Sequence, residues 1–586
     1  MKLSEALDLA NRPAQAGSPA KTVSLVCGFT PLHLVTFLQA YGRLRFAESG
    51  VAPAAGLYGD LLGNLKRAAS ESAEIALVLE WSDLDPRLGF REFAGWTSAV
   101  LEDIASEVEY KLEQIASLLE SRAYDSLVAI LPPSLPLPPV GHTTGAQASW
   151  VELRLNTVLQ QFLERAGDGK NVRVIRSAKL DTLSPSVNRL DVKGLWASGF
   201  PYTLTHADAV AKLIVEVLYP VTPKKGLITD LDNTLWKGIV GEIGVAAIKW
   251  DHASNAQAHA LYAQMLASLA ENGVLLAIAS KNERELVEEA LRRDDMLIRS
   301  HHFFPMEVNW GAKSASVERI LEAWNISADS VVFVDDNPME LEEVQARYPE
   351  TTCLLFPSKP AEVLGLLEQL RDLFGKPSVG EEDRVRASSL RAAAEVRASG
   401  ADFASPEFLK RLAGTVTLQY SRDARHARAL ELINKTNQFN LNGIRYTQGE
   451  WIAHLGQPES FLATVRYTDK FGSLGEIAVI TGLREGSTLH VKSWVMSCRA
   501  FSRAIENHTL ERLFSHFEAA KLRFDFKPTE RNTPTQDFFE QLPHSGYTLT
   551  REQFFSAAFA LPHHVKELND GSDIDRTADV LLKSVS

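Results

Sequence analysis

The sequence predicts an α/β chain of several domains. A central unit is built on a parallel sheet, a doubly wound α/β unit precedes it, and an α+β unit follows. Three observations carry this. Between residues 22 and 374, short apolar runs such as Leu275-Leu-Ala-Ile-Ala279 alternate with amphipathic helical stretches, the pattern of parallel strands covered on both faces. After residue 414 the strands instead alternate apolar with polar residues, as in Thr415-Val-Thr-Leu-Gln-Tyr420, and several follow one another directly. The length, 586 residues, suits three or four domains at about 100–200 residues each.

Bulk composition bounds the function. Hydrophobic content of 45% and charged content of 23% describe a chain able to bury large cores. The net charge of −13 argues against nucleic acid or an anionic membrane as partner, so a phosphorylated substrate would need local positive charge or a bound metal. Cys27, Cys353 and Cys498 are the only cysteines and lie far apart, which argues against a zinc site or a disulfide framework. The stretch Met1–Ala10 carries acids within its apolar pattern and reads as a helix, not a signal peptide. No apolar run approaches the roughly 18 residues of a membrane span. The expected location is the cytoplasm.

In the first unit, strands are expected at 22–27, 75–80, 126–131 and 172–175. Helices are expected at 32–40, 96–121, 146–165 and 206–218, and the proline run 132–139 is extended or loop. The stretch Pro220–Lys225 reads as a linker. In the second unit the strands are 227–230, 273–280, 330–335 and 352–356, separated by helices at 253–272, 283–293, 314–324 and 361–374. Gly375–Asp383 reads as another linker. The third unit has strands at 415–420 and 461–467 and a hairpin of 477–481 with 488–496. Helices follow at 504–520 and 535–541, and the polar residues from His563 onward are expected to form a loose tail. The implied boundaries are 1–220, 221–378, 379–562 and a tail, 563–586.

Chemistry concentrates in the middle unit. One strand runs into Asp230-Leu-Asp232-Asn-Thr234, a second ends in Ser280-Lys281-Asn282, and a third ends in Asp335-Asp336-Asn337. Asp230 and Asp232 are two apart, so on extended backbone they would share a side. In an open α/β sheet the ligand crevice lies beyond the carboxyl ends of the strands, so the three endings would face one crevice. Lys313, at the start of the helix before the third strand, would share its rim. Such a set suits phosphoryl transfer. Asp230 is the candidate nucleophile and Asp232 the candidate acid/base. Asp230, Asp232, Asp335 and Asp336 form the candidate set for Mg2+, an oxygen-seeking cation. Lys313 and Ser280 would take phosphate oxygens, and Thr234, Lys281, Asn282 and Asn337 complete the candidate substrate-binding residues.

Asp-Leu-Asp-Asn-Thr-Leu-Trp, Ala-Ile-Ala-Ser-Lys-Asn, Lys313 and Val-Phe-Val-Asp-Asp-Asn-Pro together resemble the haloacid dehalogenase (HAD) superfamily, more narrowly its FkbH-like branch, subclass IIIC. The resemblance implies a Rossmann-like, magnesium-dependent catalytic domain. Within that family it implies one of two activities. One is a phosphatase acting on a small or glycan-linked phosphate. The other is loading of a glyceryl unit from bisphosphoglycerate onto an acyl carrier protein. A scaffold with a vestigial site is a third reading, against which the intact acid set argues. Asp232 and Ser280 are 48 residues apart, and Ser280 and Lys313 are 33 apart. Neither gap holds a cap domain of about 50 residues or more.

The flanking units carry their own resemblances. Trp81-Ser-Asp-Leu-Asp-Pro-Arg-Leu-Gly89 resembles the N-terminal domain of the long FkbH-like proteins, and the unit is similar to an SGNH hydrolase. Thr30 stands where such hydrolases place a serine, and His206 lacks the acid of the usual Asp-x-x-His, so a binding or lid role is expected. Asn434–Asn440 and Ser497–Arg499 resemble a GNAT-like acetyltransferase domain. That likeness would place a CoA or phosphopantetheine arm near Asn437, Arg499, Ser502 and Arg503, although Ser502 and Ala504 occupy positions where the family has glycine. Lys435–Asn440 and Thr529–Asn532 would line the pantetheine tunnel. Cys498 reads as a buried strand residue rather than a nucleophile.

Overall fold

The computed structural model describes residues 1–12, 20–69, 73–92, 96–121, 126–169, 171–376, 406–424, 426–470, 472–497, 500–501, 503–529, 532–557 and 559–569. The chain forms two compact units. One comprises Met1–Val221 with Thr447–Ala453, and the other Thr222–Tyr446 with His454–Ser586. The first boundary falls inside the stretch read as a linker.

The first unit holds a parallel sheet of β1 (Lys21–Val26), β2 (Val51–Ala55), β3 (Glu74–Val78), β4 (Val128–Leu131) and β5 (Val172–Val174), in the order β2-β1-β3-β4-β5. Alternate strand residues feed two cores. Val26, Ile75, Leu77, Val128 and Ile130 pack with the helices Leu61–Ala69, Leu101–Glu120 and Trp150–Gly167. Val23, Leu25, Ala76, Val78, Ala129 and Leu131 pack with Leu32–Arg45 and Leu204–Leu218 on the other face. This is the doubly wound layering expected of buried strands. Strand β2 and the helix after it, Leu61–Ala69, are additions to the sequence reading.

The second unit contains two sheets. The first is parallel, with β6 (Gly226–Thr229), β7 (Leu275–Ser280), β8 (Phe303–Val308), β9 (Val331–Asp335) and β10 (Thr352–Leu355) in the order β10-β9-β6-β7-β8. Strand β6 lies between β9 and β7, and every residue of β6, β7 and β9 is buried. Leu227, Ile278 and Val334 face the helices Gln257–Glu271 and Val363–Phe374, whereas Ile228, Ala279 and Phe333 face Lys313–Trp324. The sequence reading lacked β8.

The other sheet has eight strands: β11 (Thr415–Ser421), β12 (Phe439–Asn440), β13 (Ser460–Asp469), β14 (Gly472–Glu485), β15 (Thr488–Met496), β16 (Lys521–Phe524), β17 (Thr548–Thr550) and β18 (His564–Asn569). It has its own core, which includes Leu418, Val465, Trp494 and Phe514. The predicted hairpin is present as β14 with β15, longer on its first arm. The expectation of a loose tail from His563 is corrected for residues 564–569, while residues 570–586 lie outside the described residues. Residues 564–569 form β18, which pairs in parallel with β11 from Thr415↔His564 to Tyr420↔Asn569.

Candidate active site

The three polar strand ends converge. Asp230 directly follows β6, Ser280 is the last residue of β7 and Asp335 the last of β9. Because β7 and β9 are the two neighbours of β6, these ends meet at one edge of the sheet. Lys313, first residue of the helix Lys313–Trp324, brings an ammonium group into the middle of them and is only 2% exposed. Its Nζ lies 2.6 Å from Asp230 Oδ1, 2.9 Å from Asp335 Oδ2 and 2.9 Å from Glu340 Oε2. The Ser280 hydroxyl donates to Asp230.

Asp230, Asp335 and Asp336 each bring a carboxylate oxygen within 4.8 Å of the other two. Burial pushes all three carboxyls up, and the lysine only partly opposes it. Asp335, which also faces the charge of Asp230, reaches about 7, and Asp336 about 6. Burial alone would lower Lys313, but Asp230, Asp335 and Glu340 carry it above its ordinary value. Burial also works against Glu340, yet Lys313 and Lys281 hold it below the usual carboxylate range. Four carboxylates thus share two ammonium groups. The residual negative charge and the cluster of hard oxygen donors fit one divalent cation of the magnesium type.

Asp232 stands apart from this cluster. Its Oδ1 accepts from Trp236 Nε1 at 2.8 Å and from the Val240 amide at 3.0 Å, and its Oδ2 accepts from Asn282 Nδ2 at 2.9 Å. β6 stops at Thr229 and the chain turns at Asn233, whose φ is 54°, and Asp232 is not among the carboxylates that cluster with Asp230. The side chain of Asp232 therefore leaves the metal set and is held in one orientation by three donors.

The remaining site residues divide. Lys281, 37% exposed, pairs with Glu340 at 3.1 Å. Asn282 links Asp232 to Ser280. Asn337 accepts from Met339 N and caps the helix Pro338–Arg347, a positioning role. Thr234 is fully buried, its carbonyl accepting from His259 Nδ1, so it orders the turn and does not line the mouth. Glu340 is the addition. Its sequence signal is an acid in the first turn of a helix, three residues after its asparagine cap, where an acid would be credited to the helix dipole alone.

The gaps from Asp232 to Ser280 and from Ser280 to Lys313 hold only the elements of the sheet and its helices, with no inserted domain. Ile239, Trp310 and Met339, each exposed, lie on the segments that leave β6, β8 and β9 at this edge.

The acyl-binding candidates are more dispersed. Arg499 and Ser502, with Cys498, lie outside the described residues. Arg503 faces Asp469 at 3.6 Å and lies over the Tyr467 ring. Asn437 Oδ1 accepts from the Arg445 guanidinium at 2.6 Å. Ala504, at the start of the helix Ile505–His516, has φ 53°, a left-handed conformation that favours glycine. In the first unit, His206 is fully buried, with Nε2 2.9 Å from Ser134 Oγ and Nδ1 3.0 Å from Ser184 Oγ. That is a structural placement.

No protein-family model matches the chain, and no curated protein matches it. Among solved structures, one similar to it is the N-terminal part of the protein BF1531 from Bacteroides fragilis, described as containing a phosphatase domain and complexed with Mg. The likeness has a TM-score of 0.52 at 19% identity and spans 64% of this chain and 100% of that one. It shows the fold. An uncharacterized protein from Corynebacterium glutamicum ATCC 13032 Kitasato matches over 26% of this chain and 98% of its own, at 15% identity and a TM-score of 0.20, which carries no argument. Among the described residues no helix is long and apolar enough to cross a membrane.

Proposed function

We propose that the unit built on β6–β10 is a magnesium-dependent phosphohydrolase of the HAD type, in its FkbH-like branch, acting on a phosphorylated small molecule or glycan. The observation that carries this is the Lys313 ammonium held between Asp230 and Asp335 at the carboxyl edge of the sheet. In this reading Asp230 attacks phosphorus, the P–O bond to the leaving group breaks, and an aspartyl phosphate forms. Asp232 gives the leaving oxygen its proton and then takes one from the water that releases phosphate. Asn282, Trp236 and the Val240 amide fix its carboxylate for both steps. Lys313 and Ser280 neutralise and orient the phosphoryl oxygens. Asp230, Asp335 and Asp336 would hold magnesium, which would supply positive charge that screens carboxylate–phosphate repulsion. The Bacteroides structure, a phosphatase domain with Mg on a similar fold, supports both the class and the ion.

The test is phosphate release from p-nitrophenyl phosphate by wild type and Asp230→Asn, with and without EDTA. Asp230→Asn should release no phosphate while melting as a folded protein, and chelation should silence wild type until magnesium is restored. Wild-type turnover by the variant would remove Asp230 as the nucleophile.

A second reading, glyceryl loading onto an acyl carrier protein, draws support from the segment joining β15 to the helix Ile505–His516. Ala504, at the N-cap of that helix, is left-handed, a conformation that favours glycine, the residue the GNAT-like pattern has there. Incubation with bisphosphoglycerate, magnesium and a pantetheinylated carrier separates the two. A glyceryl mass gain on the carrier selects loading, and phosphate without it selects hydrolysis.

A further inference from the structure

The first unit has a cavity of its own, about 340 Å3 in volume. It opens beyond the carboxyl ends of β1, β3 and β4, lined by Gly28 and Phe29 after β1, Trp81 and Asp83 after β3, and Leu135 and Pro136 after β4. In the order β2-β1-β3-β4-β5 the chain reverses direction across the sheet between β1 and β3, so the cavity lies at the topological switch point, where open α/β sheets bind ligands. Its volume is within the roughly 300–1,000 Å3 of small-molecule sites.

The polar groups around it do different things. Glu80, at the base, is fully committed. It accepts from the Ser134 and Leu135 amides, from Ser134 Oγ and from Tyr202 OH, which ties the segment after β3 to the segment after β4. Asp83 is anchored differently. It accepts from the Glu80 amide at 3.0 Å and from the Gly28 amide, faces the Lys111 charge, and has one oxygen 2.2 Å from where a Cβ on Gly28 would stand, so glycine there leaves it room. Burial, with Glu80 nearby, pushes the Asp83 carboxyl up to about 7, so near neutrality it can accept or donate a hydrogen bond. At the mouth, Arg91 donates to Tyr58 OH at 2.5 Å, and Lys111 reaches in from the helix Leu101–Glu120. Neither cation has a carboxylate partner within ion-pair distance among the described residues. Glu92 is exposed beside Arg91.

We propose that this cavity is a second ligand site, separate from the carboxylate–lysine site of the other unit, which binds a small hydroxylated organic acid. The acid group sits against Arg91 and Lys111, and a hydroxyl meets Asp83. The chemistry is binding without hydrolysis: His206 is engaged at both ring nitrogens by Ser134 and Ser184 and does not line the cavity.

The test is isothermal titration calorimetry of the full chain with D-gluconate and with D-glucose 6-phosphate, which share the hydroxylated body and differ in the acid. Saturable binding of at least one is expected, weakened tenfold or more by R91A/K111A and by D83A. Gluconate alone would assign a carboxylate ligand and the phosphate ester alone a phosphate ligand. The rim variants touch little of the core, so they report even if D83A fails to fold. Absence of binding of either probe to wild type would overturn the proposal. So would binding that survives R91A/K111A unchanged, which would place the ester in the other unit's site.

Discussion

Lys313→Met isolates what one buried ammonium does for the carboxylate site. Methionine keeps much of the apolar stem and removes the ammonium, whose Nζ lies 5.8 Å from the centroid of the Phe333 ring. Three carboxylates then lose their shared partner at 2.6–2.9 Å in a place that is almost fully buried. Removing one member of a buried ion pair typically costs about 3–5 kcal/mol. Here the acids can take up protons, and Asp335 already stands near 7, so protonating it at neutral pH costs little, while each further pKa unit costs about 1.4 kcal/mol. The net loss should be about 2–4 kcal/mol. For a cooperative unit of 150–250 residues that corresponds to a fall in Tm of roughly 5–15 °C. The assay is scanning calorimetry of wild type and variant in EDTA, so that no cation substitutes for the lysine, with phosphate release measured in parallel in magnesium. Turnover should drop by about 10²–10³-fold, the usual effect of losing one charge-stabilising donor. A variant that melts with wild type in EDTA would refute the view that Lys313 holds the acids together. Undiminished turnover would refute its role on the phosphoryl group.

Two other perturbations read different parts of the chain. Burial, with Arg189 nearby, holds His206 down at about 3, so the unfolded chain binds its proton first. Stability from this residue is therefore complete above pH 6.5 and falls as pH drops towards 3. Between pH 6.5 and 4.5 wild type should lose about 2–3 kcal/mol more than His206→Gln in urea denaturation, and equal losses would refute the assignment. Ala504→Gly should raise stability by about 0.5–1 kcal/mol by relieving a left-handed alanine. A lowered denaturation midpoint would show that the strain is absent.

What was legible in the sequence follows from how each element is stabilised. β6, β7 and β9 are buried on both faces, so their apolar runs announce them, and the acids at their ends mark the site edge. Of the strands the sequence reading lacked, which include β12, β16 and β17, β2 and β8 are both sheet edges and both contain a proline, Pro53 and Pro305. An edge strand can spare the ladder donor that proline lacks, and that is also what erases its sequence signal. β18 is a strand only because β11, far earlier in the chain, offers it an edge. Glu340 was hidden for a related reason. The cations it meets, Lys281 and Lys313, come from a loop and a helix remote in sequence. Asp232 was credited to the metal set on alternation alone, although β6 ends at Thr229 and the chain turns at Asn233.

Strand β18 also acts as a guard. Val416, Leu418 and Tyr420 on β11 are buried, and β18 occupies the hydrogen-bonding edge beside them. A chain shortened at His563 would bare a six-residue, partly apolar rim, Thr415–Tyr420, open to pairing with any passing strand. Self-association of such a shortened chain would then report an unshielded sheet rim, not a lost fold.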